Sequence, residues 1–194
     1  MRLDVGRMRI AFAAMTALLA FVTGAFVTAC HGAGPYGHSP KYAELDDETA
    51  AAAGAREYDP VMVQRQPDDW RKGKTTLFGV VLSRTAGPSG QALLKLGVRR
   101  LELRNLCDNM NDDDSCRVTV SDKDFGVVWA LVSLHGEDNV GPNAVGMRSL
   151  VRVIGTIGQD VSPTDGNPVL RASWYRHWPA MFYVTSASSR DMRQ

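Results

Sequence analysis

Twenty consecutive residues without a charge, Ile10 to Ala29, constrain this chain more than any other feature. At about 1.5 Å per residue such a run is long enough to cross a bilayer. Arg2, Arg7 and Arg9 give it a positive leading end, and small residues close it just before Cys30. A basic start, an apolar middle and a small-residue junction are the parts of an export signal, so residues 1–29 are read as a signal peptide and the fold is sought from Cys30 onward. A retained membrane helix and an ordinary cleaved signal that leaves a free thiol are the alternatives.

The junction Val27-Thr28-Ala29-Cys30 resembles the lipobox of bacterial lipoproteins, in which an apolar residue and two small ones lead into an obligatory cysteine. The resemblance implies that a diacylglyceryl group joins the Cys30 thiol, that the chain is cut before Cys30, and that the new amine is acylated with a chain such as palmitate. One buried acyl chain holds a protein to a membrane only marginally, at about 0.8 kcal/mol per methylene, whereas several together anchor it durably. His31 follows the cysteine where, in the enteric lipoprotein pattern, an aspartate favours inner-membrane retention. The expected location is therefore the bacterial envelope, beyond the inner membrane's cytoplasmic side in the periplasm-bounding layers, with the outer membrane favoured over the inner.

With Cys30 committed to lipid, Cys107 and Cys116 form an even pair in an oxidising compartment. A disulfide between them closes a ring of about ten residues, for which chain entropy predicts roughly 2–3 kcal/mol. Two reduced thiols are the alternative.

From Cys30 onward 165 residues remain, with 19 basic and 20 acidic side chains. That length suits one domain plus a tail. The even balance gives no global attraction for phosphates, so nucleic acid is not expected as a partner. Residues 30–69 carry few large apolar side chains and no sustained pattern, and are expected to form a flexible tether with at most a transient helix over Asp46–Glu57.

From Trp70 the texture changes to short β-forming runs between turn residues, which sets the domain at 70–187 and a C-terminal tail at 188–194. "ALLKLGVRRLELRN" alternates on one phase through Val98 and on the other from Leu101, which calls for a bulge or bend near Arg99-Arg100. "FGVVWALVSL" is apolar on both faces and is expected to be the most buried strand. Asp165-Gly166 marks a turn, and Gly79, Gly97 and Gly155 inside strands mark sharp bends. Six or seven strands of this kind resemble an OB-type barrel: a mainly β domain, five strands curled into a small, partly open barrel, with a β-sandwich as the alternative. The combination of lipobox and compact β domain also broadly resembles the starvation-inducible outer-membrane lipoproteins.

Chemistry-bearing motifs are few. "RKGKTT" lacks the glycine five residues before Gly73 that a phosphate-binding loop needs, and a strand follows it. The acidic loop offers Asp108, Asp112, Asp113 and Asp114 as calcium candidates, but it departs from EF-hand spacing and reads first as a polar hairpin tip. No cofactor beyond the lipid on Cys30 is expected. His135, Glu137, Asp138 and His177 are the residues a metal-assisted hydrolase would draw on, although no two histidines share a ligand-like spacing. In "ASWYRHWPAMFYV", alternation sends Leu170, Ala172 and Trp174 inward and Tyr175 outward, so Tyr175, Arg176, His177 and Trp178 are candidates for partner binding. The sequence thus points to a non-catalytic binding or structural module of a cell-envelope assembly, held to the membrane by lipid, with an envelope protein or cell-wall glycan as partner.

Overall fold

The computed structural model describes Tyr36 and residues 39–193, so the signal segment 1–29 and the lipid candidate Cys30 lie outside the described residues. In chain order the elements are α1 (Asp46–Ala52), β1 (Arg56–Glu57), α2 (Pro60–Arg65), α3 (Pro67–Arg71), β2 (Lys74–Ala86), β3 (Ala92–Arg99) and β4 (Leu106–Cys107). They continue with β5 (Cys116–Val120), β6 (Val127–Val132), β7 (Leu150–Val161), β8 (Pro168–Trp178) and β9 (Tyr183–Thr185).

The alternating runs beyond Trp70 close on themselves. β2, β3 and β6 pair antiparallel in succession, β7 and β8 form a hairpin, β2 also pairs with β7, and β6 runs parallel to β8. The ring β2-β3-β6-β8-β7 returning to β2 is the Greek-key barrel of an OB fold. A sandwich would need two separate sheets face to face; here one sheet closes around Leu77, Val81, Leu94, Leu96, Val128 and Val153. Closure needs bends, and Gly155 sits at one. The register of β7 on β8 shifts beside it, and a Cβ there would lie 2.1 Å from the Arg171 carbonyl oxygen, so only glycine fits.

Two expected phases differ from what forms. The slip at Arg99-Arg100 is the end of β3: Leu101 leaves the barrel and bridges Val120. The register shift of β8 sets Ser173 out of step, pairing Ala172 with Gly155 but Trp174 with Ile154. Trp174 is consequently turned outward toward Asp47, which accepts its Nε1–H at 3.1 Å, and Tyr175 packs against the barrel core.

A second core lies outside the barrel wall. β4, β5 and β9 make a small sheet, and Val118 and Val120 from it pack with Phe78, Leu150, Trp178, Tyr36 and Tyr42. Cys107 and Cys116 stand opposite each other in the β4–β5 ladder and are joined by a disulfide.

The expected flexible tether is corrected over residues 39–69. Asp59 caps α2 by accepting from the Val61 and Met62 amides, Pro60 opens it, and Val63 and Trp70 enter the barrel core. α1 carries three acids in its first turn, which suits the N-terminal end of a helix dipole, and it ends at Ala52, with β1 rather than helix at Arg56–Glu57. Isolated aromatic residues supply the burial that a periodic pattern would have announced. The expected tail is likewise paired, with Arg193 and Cys107 exchanging backbone hydrogen bonds at 2.8 Å in both directions.

Candidate functional site

Past the bulge, β8 sends successive side chains to opposite sides, and the four expected partner-binding residues divide accordingly. Arg176 and Trp178 face the second core. Arg176 is 6 % exposed and Trp178 is fully buried, its Nε1–H donated to the Tyr36 carbonyl at 2.8 Å. Neither is available to a partner, which corrects that expectation.

Arg176 stands opposite Arg152 in the β7–β8 ladder, and like charges in that position repel. The carboxylate of Glu48, itself 0 % exposed, resolves the conflict. It accepts from Arg152 Nη1 at 2.6 Å, from Arg176 Nη1 at 2.9 Å, from the Leu45 amide at 3.0 Å and from the Tyr42 hydroxyl. Tyr42 lies under both guanidiniums, and burial together with the Glu48 charge raises its hydroxyl pKa. Sequence reasoning missed this network. The available signal was two arginines at outward positions of strands whose neighbours, Leu150, Ile154 and Trp178, are apolar: a buried guanidinium calls for a carboxylate.

His177 and Tyr175 face the other way, toward the 3-10 turn at Gly136–Asp138. Asp138 Oδ1 lies 2.9 Å from His177 Nδ1, His177 Nε2 lies 3.2 Å from Ser149 Oγ, and Tyr175 donates to Asp138 Oδ2 at 3.0 Å. Serine, histidine and aspartate in that order are the parts of a nucleophilic triad. Here Ser149 is 4 % exposed and His177 5 %, which leaves an acyl substrate no approach. Burial lowers the His177 pKa against the opposing pull of Asp138, and the ring bridges the Asp138 carboxylate and the Ser149 hydroxyl. Among the described residues no three of His, Cys, Asp and Glu converge on a metal-sized point, and His135 contributes its backbone amide, not its ring, to the Tyr175 hydroxyl. In the acidic loop Asp112 turns its carboxylate back onto the Asp114 amide, and Ser115 ties Asn109 and Asp112, the arrangement of a polar hairpin tip.

Of the four, Tyr175 remains at an opening. β6 and β8 pair only over Trp129–Leu131 with Val169–Arg171 and then part. The parting leaves a groove of about 440 Å³ in which Trp174 and Tyr175 stand among Ser133, His135, Asp138 and Ser173. Beside it, on the β3–β6 face that OB barrels present to ligands, the cross-strand pair Lys95 and Trp129 is covered by the β7–β8 loop. Asp165 of that loop takes the Trp129 Nε1–H at 2.9 Å and the Lys95 ammonium at 2.8 Å, and the hydrogen-bonded Lys95 holds its carboxyl well below the usual range.

No family model matches the chain, and no curated protein matches it. Solved structures do. One is the "putative nucleic acid-binding lipoprotein" of Klebsiella pneumoniae subsp. pneumoniae, 14 % identical, with a TM-score of 0.34 over 70 % of this chain and 99 % of that one. Another is a deletion mutant of the single-stranded DNA binding protein from Thermus aquaticus, 16 % identical, with a TM-score of 0.28 over 54 % of this chain and 49 % of that one. Both are named for nucleic acid, and against them the expectation that nucleic acid is no partner is withdrawn. Its physical flaw is plain: a charge balance sums over the whole chain, whereas a barrel of this kind engages ligands through one local strip.

Proposed function

We propose that this chain is a lipid-anchored protein of the bacterial envelope whose OB barrel is a non-catalytic binding module, with the β6–β8 groove as its binding surface. The observation that carries the binding reading is the way the barrel opens: a polar groove with two aromatic walls, Trp174 and Tyr175, held open by rigid strands. The absence of catalysis is supported by the triad-ordered string, which has the contacts of a structural bridge and no access. Anchoring rests on the Val27–Cys30 junction, and the outer membrane is favoured by His31; likeness to the starvation-inducible class belongs to the same reading. Tyr36 is six positions beyond Cys30, and a chain of that length reaches at most about 20 Å. The barrel therefore works close to the lipid surface and not at the end of a long leash.

Two measurements test this. Mass spectrometry of the mature N-terminus is expected to find Cys30 triacylated, and Cys30→Ser to leave an unprocessed or soluble form; processing with unchanged membrane retention contradicts the anchor. A photo-crosslinking residue at Ser133 or Ser173 in intact cells is expected to form a discrete adduct, protein or oligonucleotide, that Trp174→Ala removes. Adduct formation equal to that from Leu103, which is exposed and lies outside the groove, sinks the groove as the binding surface.

A further inference from the structure

A second cavity lies apart from the groove, where the N-terminal segment meets the end of β3. It measures about 290 Å³, at the small end for ligand pockets, and its floor is apolar: Leu77, Phe78, Val98, Leu101 and Phe125. Its wall is cationic. Arg99, Arg100 and Arg152 all line it, against the single carboxylate of Glu57.

The three guanidiniums differ in how far they are committed. Arg152 is bound to Glu44 and Glu48. Arg99 donates Nη1 to the Ser121 carbonyl at 3.2 Å and to that of Asp122, and Asp124 Oδ1 sits 2.9 Å from its Nε. That last contact is ionic only: the buried Nε–H is not directed at the carboxylate and has no hydrogen-bond acceptor, so the ion-pair distance overstates its satisfaction. Gly97 makes the approach possible, since a Cβ there would stand 2.7 Å from Asp124 Oδ1. Arg100 is exposed, meets no carboxylate among the described residues, and sits over Phe125 with Cζ 4.1 Å from the ring centroid.

An uncommitted guanidinium over an aromatic ring, beside a second arginine and above an apolar floor, is complementary to an anion carried on a compact apolar body. We infer that this cavity is a binding site for a small amphiphilic anion, a phosphate or carboxylate attached to a ring or short acyl group. Arg100 and Arg99 take the charge, and Leu101, Val98 and Phe125 take the apolar part. Glu57 opposes the charge from across the cavity and moderates the affinity. The site shares no lining residue with the β6–β8 groove and stands or falls without it.

The test uses the full chain in phosphatidylcholine nanodiscs, with 1-naphthyl phosphate and neutral 1-naphthol followed by equilibrium dialysis. Naphthyl phosphate is expected to saturate one site below about 1 mM, as suits a ligand of this size. Naphthol is expected to bind at least tenfold more weakly. Arg100→Gln weakens the phosphate by about 10-fold or more, in keeping with loss of a charge-assisted contact. Leu101→Trp, which fills the cavity, abolishes binding of both, and Glu57→Gln tightens the phosphate about threefold. Replacing part of the nanodisc lipid with phosphatidylglycerol separates the sources: competition identifies a lipid headgroup, and undiminished binding identifies a free small molecule. Equal affinity for naphthol and naphthyl phosphate, unchanged affinity in Arg100→Gln, or no saturation at several millimolar overturns the proposal. Circular dichroism and the thermal midpoint of Arg100→Gln and Leu101→Trp establish that each variant is folded.

Discussion

Removing the carboxylate of Glu48 tests the packing argument most directly. In Glu48→Ala two guanidiniums whose side chains are 8 % and 5 % exposed face each other across the β7–β8 ladder without the anion that separates them. Arg152 keeps Glu44, which is 39 % exposed, while Arg176 keeps the Ala43 carbonyl at 3.1 Å. Breaking a buried pair by deleting one partner costs about 3–5 kcal/mol, most of it the desolvated charge left behind. Urea denaturation of the full chain, followed by tryptophan fluorescence, is expected to show that loss, and the thermal midpoint to fall by about 10 °C. The cause is separable from lost attraction. In Glu48→Ala combined with Arg152→Met and Arg176→Met, no uncompensated charge is buried, and the methionines still cover Tyr42 and Trp178. That triple variant is expected to regain at least half of the loss. A single variant that loses less than about 1 kcal/mol, or a triple variant no more stable than the single one, refutes the reasoning.

Stability is also expected to depend on pH through His177. Because its folded pKa lies below the value of about 6.5 in the unfolded chain, the unfolded state takes up the proton first. Stability is therefore full above that value and declines as pH falls from it toward the folded pKa; His177→Gln flattens the slope, and an unchanged slope counts against the assignment. Cys107→Ser with Cys116→Ser is expected to cost about 2–3 kcal/mol by chemical denaturation, and no change contradicts the ring-closure estimate. Gly155→Ala is expected to cost about 3 kcal/mol or more, since its methyl would meet backbone, not a side chain that can turn away; a loss under 1 kcal/mol would show that the β7–β8 crossing yields.

How much of the fold and the site was legible in the sequence depends on which signals are local. The continuous apolar run Val127–Val132 forms the strand buried on both sides, as its composition requires, and Gly166 adopts the φ of +70° that the Asp165-Gly166 turn implies. The disulfide comes from counting. β8 could not be read in the same way, because a single residue, Ser173, is set out of step by β7 and not by its own neighbours. Every side chain after it changes sides, and Trp174, Tyr175, Arg176 and His177 exchange environments. The Asp138–His177–Ser149 string was invisible for a similar reason: its members come from three segments that meet only once the barrel has closed.

The N-terminal segment shows why composition set the domain boundary too late. Residues 39–69 have too few apolar side chains to fold alone, yet they are ordered because the barrel presents them with a surface that cannot face water or itself. Phe78, Leu150 and Trp178 need covering, and the Arg152–Arg176 pair needs an anion. Tyr36, Tyr42 and Glu48 supply both. Barrel and segment are thus one cooperative unit, and a chain begun at Trp70, where the strand texture starts, would expose that aromatic face with two like charges set into it. Such a truncated chain is expected to aggregate, while one begun at Ala33 stays soluble. Equal solubility of the two by size-exclusion chromatography would mean that the segment decorates the barrel without completing it.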